Sequence, residues 1–264
     1  MLSKSIVETV VLSLKEDVDR KSYITRHFSE IGIQNYRFFE AQDVKSAGVK
    51  ALYDNGKVHT FPDCFRCGKA HCGCANNILI PAQVANWLSF YQIWQSLSQR
   101  KGLFLICEDD VSFHKNSIYL LNEFIDNLEP DKSNILIRLA NSGEDPEQTL
   151  DISQPLIASD KPVMSNAAYI IDGTMAAYLT AQFDLINTTS DVWLHREIAN
   201  HVAVNEMTIL PLPATELSYN KTHAKFVSRI HPKGINFEDE KRAINHAKRV
   251  DTVEQYNALY RSWF

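Results

Sequence analysis

The chain has 264 residues, 45% hydrophobic and 22% charged, with a formal net charge of -5 and a pI near 6.0. That length suits one α/β domain, or one domain carrying an insertion, and the composition is that of a globular protein. The acidic balance excludes a general nucleic-acid binder, which needs a basic footprint to neutralise phosphates, but it leaves room for a local basic pocket holding one nucleotide.

The opening MLSKSIVETVVLSLKEDVDR has an apolar run interrupted by Glu8 and offers no small-residue cleavage site, so it reads as a strand and not a signal peptide. No window approaches the roughly 18 uninterrupted apolar residues of a membrane span. The expectation is a cytoplasmic protein without a transmembrane segment, with peripheral membrane contact left open. Residues 8 to 14, ETVVLSL, form a near-continuous β-branched run that predicts a strand buried on both faces. Ile24, Phe28 and Ile31 then recur at helical spacing, and Gly32 stands where a left-handed cap belongs. A second strand is expected over 36 to 41, YRFFEA, and strand, helix, strand at this spacing implies a parallel βαβ unit.

Residues 42 to 81 break the alternation and read as an inserted loop rich in Gly, Asp, Asn, Lys and Cys. Within it CFRCGKAHCGC places Cys64, Cys67, Cys72 and Cys74 at C-x2-C-x4-C-x-C spacing, with His71 inside and His59 upstream. Four soft sulfur ligands in a glycine-containing loop suit tetrahedral Zn²⁺ in a closed, structural site. Two disulfides or four free thiols are the other readings, and a reducing compartment disfavours the disulfides. Cys107 reads as a buried core residue.

Residues 82 to 100 predict a helix with Val84, Leu88, Tyr91, Trp94 and Leu97 on one stripe. LFLICEDDVSF follows: a buried strand, 103 to 108, running into Glu108, Asp109 and Asp110. Ligands of α/β sheets bind beyond the carboxyl ends of strands, and Glu108 and Asp110 share a face if the chain stays extended. Such oxygens suit Mg²⁺ or Mn²⁺ carrying substrate phosphates; capping the helix expected near 115 to 128 explains them equally well. Strands at 134 to 140 and 167 to 172, helices at 174 to 183 and 190 to 202, and a strand MTIL ending at prolines complete the pattern. The last helix, in DTVEQYNALYRSWF, either docks on the core or dips Trp263 and Phe264 into lipid.

Taken in order, VLSLKEDVDRKSYI…FSEIGI…YRFFEAQD, NWLSFYQIWQSL…LFLICEDDVSF, SNAAYIIDGTMAAYL and SDVWL resemble glycosyltransferase family 25 over roughly residues 8 to 230, the cysteine segment excepted. That family includes lipooligosaccharide and collagen galactosyltransferases. The resemblance implies a single GT-A-like catalytic domain over 1–264, a Rossmann-type mixed, mostly parallel sheet flanked by helices, with 42–81 as an insertion. It implies inverting transfer of a sugar, galactose, from a UDP-sugar to a glycan or hydroxyl acceptor, with a place in lipopolysaccharide biosynthesis and a catalytic Mn²⁺ or Mg²⁺. By resemblance Asp110 ligates the ion, Glu108 faces the ribose and Asp109 supports them. Leu14, Asp19 and Arg20 belong to the nucleotide-binding loop, Ser165, Asn166 and Ala167 leave room for a sugar, and Asp191 is the general base. A surface ion pair for Arg20, tight packing for the small residues and an N-cap or first-turn acid for Asp191 remain the plain readings. His223 and His231 are candidates for a third ligand, and Lys221, Lys225 and Arg229 for steering a diphosphate.

One departure stands out. Leu88-Ser89-Phe90-Tyr91 lacks the Ser-His pair usual in the family at this place. A noncatalytic relative using the cysteine loop as a partner surface is the rival that this favours. A nucleotidyltransferase is disfavoured because SLKEDVDRK has no glycine with which to cradle phosphates.

Overall fold

The computed structural model describes residues 2, 3, 5–70, 72–74, 76–129, 132–142, 145–219, 226 and 249–264. Strands β1 (Ile6–Ser13), β2 (Tyr36–Glu40) and β3 (Leu103–Glu108) run parallel, with β1 in the middle. Strand β8 (Ala168–Asp172) is antiparallel to β3 and to β5 (Ile135–Arg138); β9 (Asn205–Leu210) is parallel to β5, and β7 (Ile157–Ser159) closes the edge antiparallel to β9. The seven-stranded sheet β2-β1-β3-β8-β5-β9-β7 is therefore mixed, with parallel strands on either side of β8. A small second sheet has β10 (Ala214–Glu216) between β4 (Val111–Phe113) and β6 (Ala140–Ser142).

The unbroken apolar runs have a simple cause, because both faces of the large sheet are covered. Val10, Leu12, Phe104, Ile106, Leu136, Tyr169 and Ile171 face one core, while Val11, Leu105, Cys107, Ile137, Ala168 and Ile170 face the other. This is the two-residue period of a strand read twice, and each such Leu, Ile or Phe contributes roughly 1.5–3 kcal/mol by leaving water.

Helix α1 (Val18–Ile31) lies on the second face, anchored by Ile24 and Phe28, and ends at Gly32 with φ of 80°. On the first face lies α3 (Pro81–Leu97), apolar on nearly all sides and buried beside α5 (Gly173–Ala181). Against Trp87 and Trp94 of α3 packs Trp193, with ring centroids 5.2 and 5.5 Å away.

Three features depart from the sequence pattern. The 42–81 segment, expected to be a loop, contains a helix, α2 (Ala47–Asp54), capped by the Ser46 hydroxyl and seated by Val49 and Tyr53. Asn116 takes the N-cap position of helix α4 (Ser117–Asp126) without a side-chain capping bond, so the acidic triplet does not cap it. Beyond Thr189, which takes the N-cap position without a side-chain capping bond, Ser190–Val192 forms one turn, α6, with Asp191 as its first-turn acid, and widens into a π-helix over Trp193–Ile198. The C-terminal helix α7 (Val253–Trp263) docks on α2, where Tyr53 meets Trp263 at 5.9 Å and Phe264 at 5.7 Å. Among the described residues no helix is long and apolar enough to cross a membrane.

Candidate active site

Parallel pairing of β1 with β3 sets Leu12 beside Glu108, so the segments leaving the two strands emerge at one edge. The chain does not stay extended past Glu108: Asp109 and Asp110 form a turn into β4, and both are only 5% exposed. Asp109 is fully used within the fold. Its Oδ1 accepts from Arg20 Nη1 at 2.7 Å and its Oδ2 from the Ser13 hydroxyl at 2.6 Å. Burial opposes the Arg20 charge, yet Asp110 and Asp109 outweigh it and hold the guanidinium more firmly protonated than usual. Arg20 thus belongs to the site and is not a surface ion pair.

Asp110 is different. One carboxylate oxygen lies 3.8 Å from Arg20, and Oδ1 is buried with no hydrogen-bond partner among the described residues. Burial, then the nearby Glu216 charge, push its carboxyl up to about 7 against the pull of Arg20. Glu108 is pushed well above the carboxylate range by burial, Asp110 and Glu216, with a hydrogen bond from Asn86 opposing.

Glu216 is the residue that sequence reasoning missed. It arrives on β10, opposite Val111, and the next backbone N–H, of Leu217, donates to the Asp110 carbonyl at 2.8 Å. Its carboxylate accepts from the hydroxyls of Ser218 at 2.5 Å and Ser165 at 3.4 Å. A lone acid at the end of the apolar stretch LPLPATE was the available signal. Two buried and two half-buried carboxylates around one arginine leave uncompensated negative charge, which is costly in a low-dielectric setting. A hard divalent cation suits an all-oxygen donor set with one buried oxygen unpartnered. The residues therefore fit the ion.

The other expected positions divide. Leu14 follows β1 and is half-buried, whereas Asp19 is exposed in the first turn of α1. Asp191, half-buried, is the second residue of α6; its neighbour Ser190 is the buried one, tied to Asn86 and Asn166. Ser165, Asn166 and Ala167 are buried at 3%, 5% and 0% exposure, and each is engaged within the fold. Tight packing accounts for their small size. In place of the family's Ser-His pair, Ser89 donates to the Ala85 carbonyl at 2.6 Å and Phe90 packs near Tyr169. His71, Lys221, His223, Lys225, Arg229 and His231 lie outside the described residues.

The cysteine loop forms a compact centre of its own. The sulfurs of Cys64, Cys67, Cys72 and Cys74 lie within 4.8 Å of one another and are unbridged, with Cys67 and Cys74 4.0 Å apart. A disulfide needs about 2.05 Å, while tetrahedral Zn–S bonds of ~2.3 Å imply sulfur separations of roughly 3.8 Å. The turn Cys64-Phe65-Arg66-Cys67-Gly68 has Gly68 at φ of 70°, and the Arg66 N–H points at the Cys64 sulfur at 3.4 Å. Hydrogen bonds within the crowded thiols, led by the Cys74 backbone N–H, pull Cys72 down to about 7; its neighbours push Cys74 up to about 12. The same loop grips the C-terminal segment. Arg249 donates to the Cys74 carbonyl at 2.9 Å, and Asn77 exchanges two hydrogen bonds with Val250 at 2.6 and 2.9 Å.

Three comparisons bear on identity. A protein of Acanthamoeba polyphaga mimivirus designated by name a glycosyltransferase, R655, is 28% identical over 152 residues; the match covers 55% of this chain and 41% of that protein. The inositol-1-phosphate CTP transferase from T. maritima superposes with a TM-score of 0.39 at 10% identity, over 91% of this chain and 96% of that one, a likeness too slight to carry an argument. The model of glycosyltransferase family 25 (LPS biosynthesis protein) matches residues 6–194, which takes in both strands of the acidic edge, Arg20 and the turn that bears Asp191. The chain belongs to glycosyltransferase family 25.

Proposed function

We propose that the chain transfers a hexose, galactose by family resemblance, from a UDP-sugar to a hydroxyl of a glycan or other acceptor, with inversion and with Mn²⁺ or Mg²⁺ at Asp110. The observation that carries this reading is the buried Oδ1 of Asp110, without a partner among the described residues, at the edge where β1 and β3 end. A divalent ion held by Asp110 would offset the charge of the diphosphate leaving group. Arg20, clamped by Asp109, adds a fixed positive charge to the same edge. Glu108 accepts from the ribose hydroxyls, and Leu14 and Asp19 flank the nucleotide. Asp191 takes the acceptor's hydroxyl proton as that oxygen bonds to the anomeric carbon and the bond to UDP breaks. Glu216, through its closeness to Asp110, tunes the charge of the ion site.

The cysteine centre holds a structural Zn²⁺ through Cys64, Cys67, Cys72 and Cys74. With all four positions thiolates, it has no open position for catalysis. The test is UDP release from UDP-galactose and other UDP-sugars over a panel of sugar acceptors, with Mn²⁺ or with EDTA, followed by NMR of the product anomer. Metal-dependent release with an inverted product is expected. A folded, zinc-loaded protein that releases no UDP from any donor would favour the noncatalytic binding role instead.

A further inference from the structure

A chain of polar side chains, buried at His195, Asn166 and Ser190 and half-buried at Asn86 and Glu108, runs from the π-helix to the acidic edge. His195 Nε2 lies 3.1 Å from Asn166 Oδ1, just before β8. Asn166 Nδ2 donates to the Ser190 hydroxyl at 2.9 Å, Ser190 donates to Asn86 Oδ1 on α3 at 2.7 Å, and Asn86 Nδ2 donates to Glu108 Oε1 at 3.3 Å.

The four contacts form one consistent donor–acceptor sequence ending at Glu108. Ser190 has one hydrogen, so it donates to one asparagine and accepts from the other. With Asn86 Nδ2 donating to Glu108 Oε1, Ser190 donates to Asn86 and accepts from Asn166, and His195 presents its Nε2–H to Asn166 Oδ1. Burial and the Arg138 charge keep that ring neutral, its pKa pushed down to about 3. The far end is rigid: Arg138 donates to the His195 carbonyl at 3.1 Å, and the Tyr169 ring packs edge-on at 5.6 Å. A π-helical turn in this position is the kind of local irregularity that recurs at functional sites.

We infer that Asn86, backed by Ser190, Asn166 and His195, is a positioning residue that fixes the Glu108 carboxylate for its ligand. Oε1 is held by Asn86, and no described residue bonds Oε2, which is left to accept from a ligand hydroxyl. The inference rests on the reading of Glu108 as the ribose-binding group and extends it to residues outside the acidic edge.

The test measures binding of UDP and of 2′,3′-dideoxyuridine diphosphate, each with Mn²⁺, by calorimetry to the full chain and its variants. Wild type should prefer UDP, and Glu108→Gln should lose most of that preference. Asn86→Leu should bind UDP about tenfold more weakly, as loss of one hydrogen bond produces, while its affinity for the dideoxy compound stays within about twofold. Ser190→Ala should lose part of the preference and Ser190→Thr keep it; this pair decides the matter if Asn86→Leu does not fold. A role in packing alone would lower the melting temperature without changing discrimination. If Glu108→Gln loses the preference but Asn86→Leu keeps it, this inference fails and the nucleotide reading stands. A wild type that binds no UDP with Mn²⁺, or does not distinguish the two compounds, overturns both.

Discussion

Replacing Asp110 by Asn should abolish transfer and at the same time stabilise the metal-free fold. The carboxyl is pushed from its ordinary 3.8 to about 7 by burial and by Glu216. At 1.36 kcal/mol for each tenfold change in proton affinity, that displacement is worth roughly 4 kcal/mol, an upper bound because Glu108 and Glu216 share the repulsion. Because the folded pKa lies above the unfolded one, the group favours folding fully only below pH 4, and that advantage is lost as pH rises towards and through 7. Wild type in EDTA should therefore lose stability between pH 5.5 and 8, and Asp110→Asn should flatten that part of the profile. A net gain of about 1–2 kcal/mol at pH 8 would raise the melting temperature by several degrees in a domain of this size. Mn²⁺ should stabilise wild type at pH 8 and leave the variant unmoved. Chemical denaturation in EDTA across this pH range is the assay. A variant less stable than wild type at pH 8 would refute the reasoning, because it would mean that the carboxylate is satisfied inside the fold.

Arg20→Leu leaves Asp109 buried with only the Ser13 bond and should cost about 3–5 kcal/mol, a fall in melting temperature on the order of 10 °C; Arg20→Leu with Asp109→Leu should recover much of it. Reduced, purified protein should carry one zinc per chain by elemental analysis, and Cys64→Ser should lose it and speed amide exchange at Val250, whose N–H is held by Asn77 beside the cysteine loop. Tyr169→Phe strands the buried Trp94 Nε1–H, which donates to the Tyr169 hydroxyl at 3.0 Å, and should cost ~1–2 kcal/mol in denaturation without changing metal binding.

Much of this architecture can be read from the residues because burial leaves a local trace. Val10, Val11 and Leu12 have no polar partner position among them, and only a strand covered on both sides permits that. Gly32 marks the end of α1 for an equally local reason. Helix α2 had its own signal in Ser46, Val49 and Tyr53, but it was masked by the polar loop around it. The π-helix had none, because Trp193 to Ile198 would suit an α-helix just as well. The site follows the same division. Its acidic edge and the four cysteines are contiguous in sequence, so they could be found. Glu216 lies 106 positions beyond Asp110 and meets it only through the pairing of β10 with β4. The chain from Asn86 to His195 consists of ordinary polar residues until the packing of α3 against α6 aligns them.

The assignment of Asp110 as the metal ligand can be tested directly by anomalous diffraction at the manganese edge from crystals soaked with Mn²⁺ and UDP. The predicted result is one peak about 2.0–2.2 Å from a carboxylate oxygen of Asp110, lost in Asp110→Asn crystals. A peak that persists in the variant, or that lies away from the edge formed by β1 and β3, would contradict it.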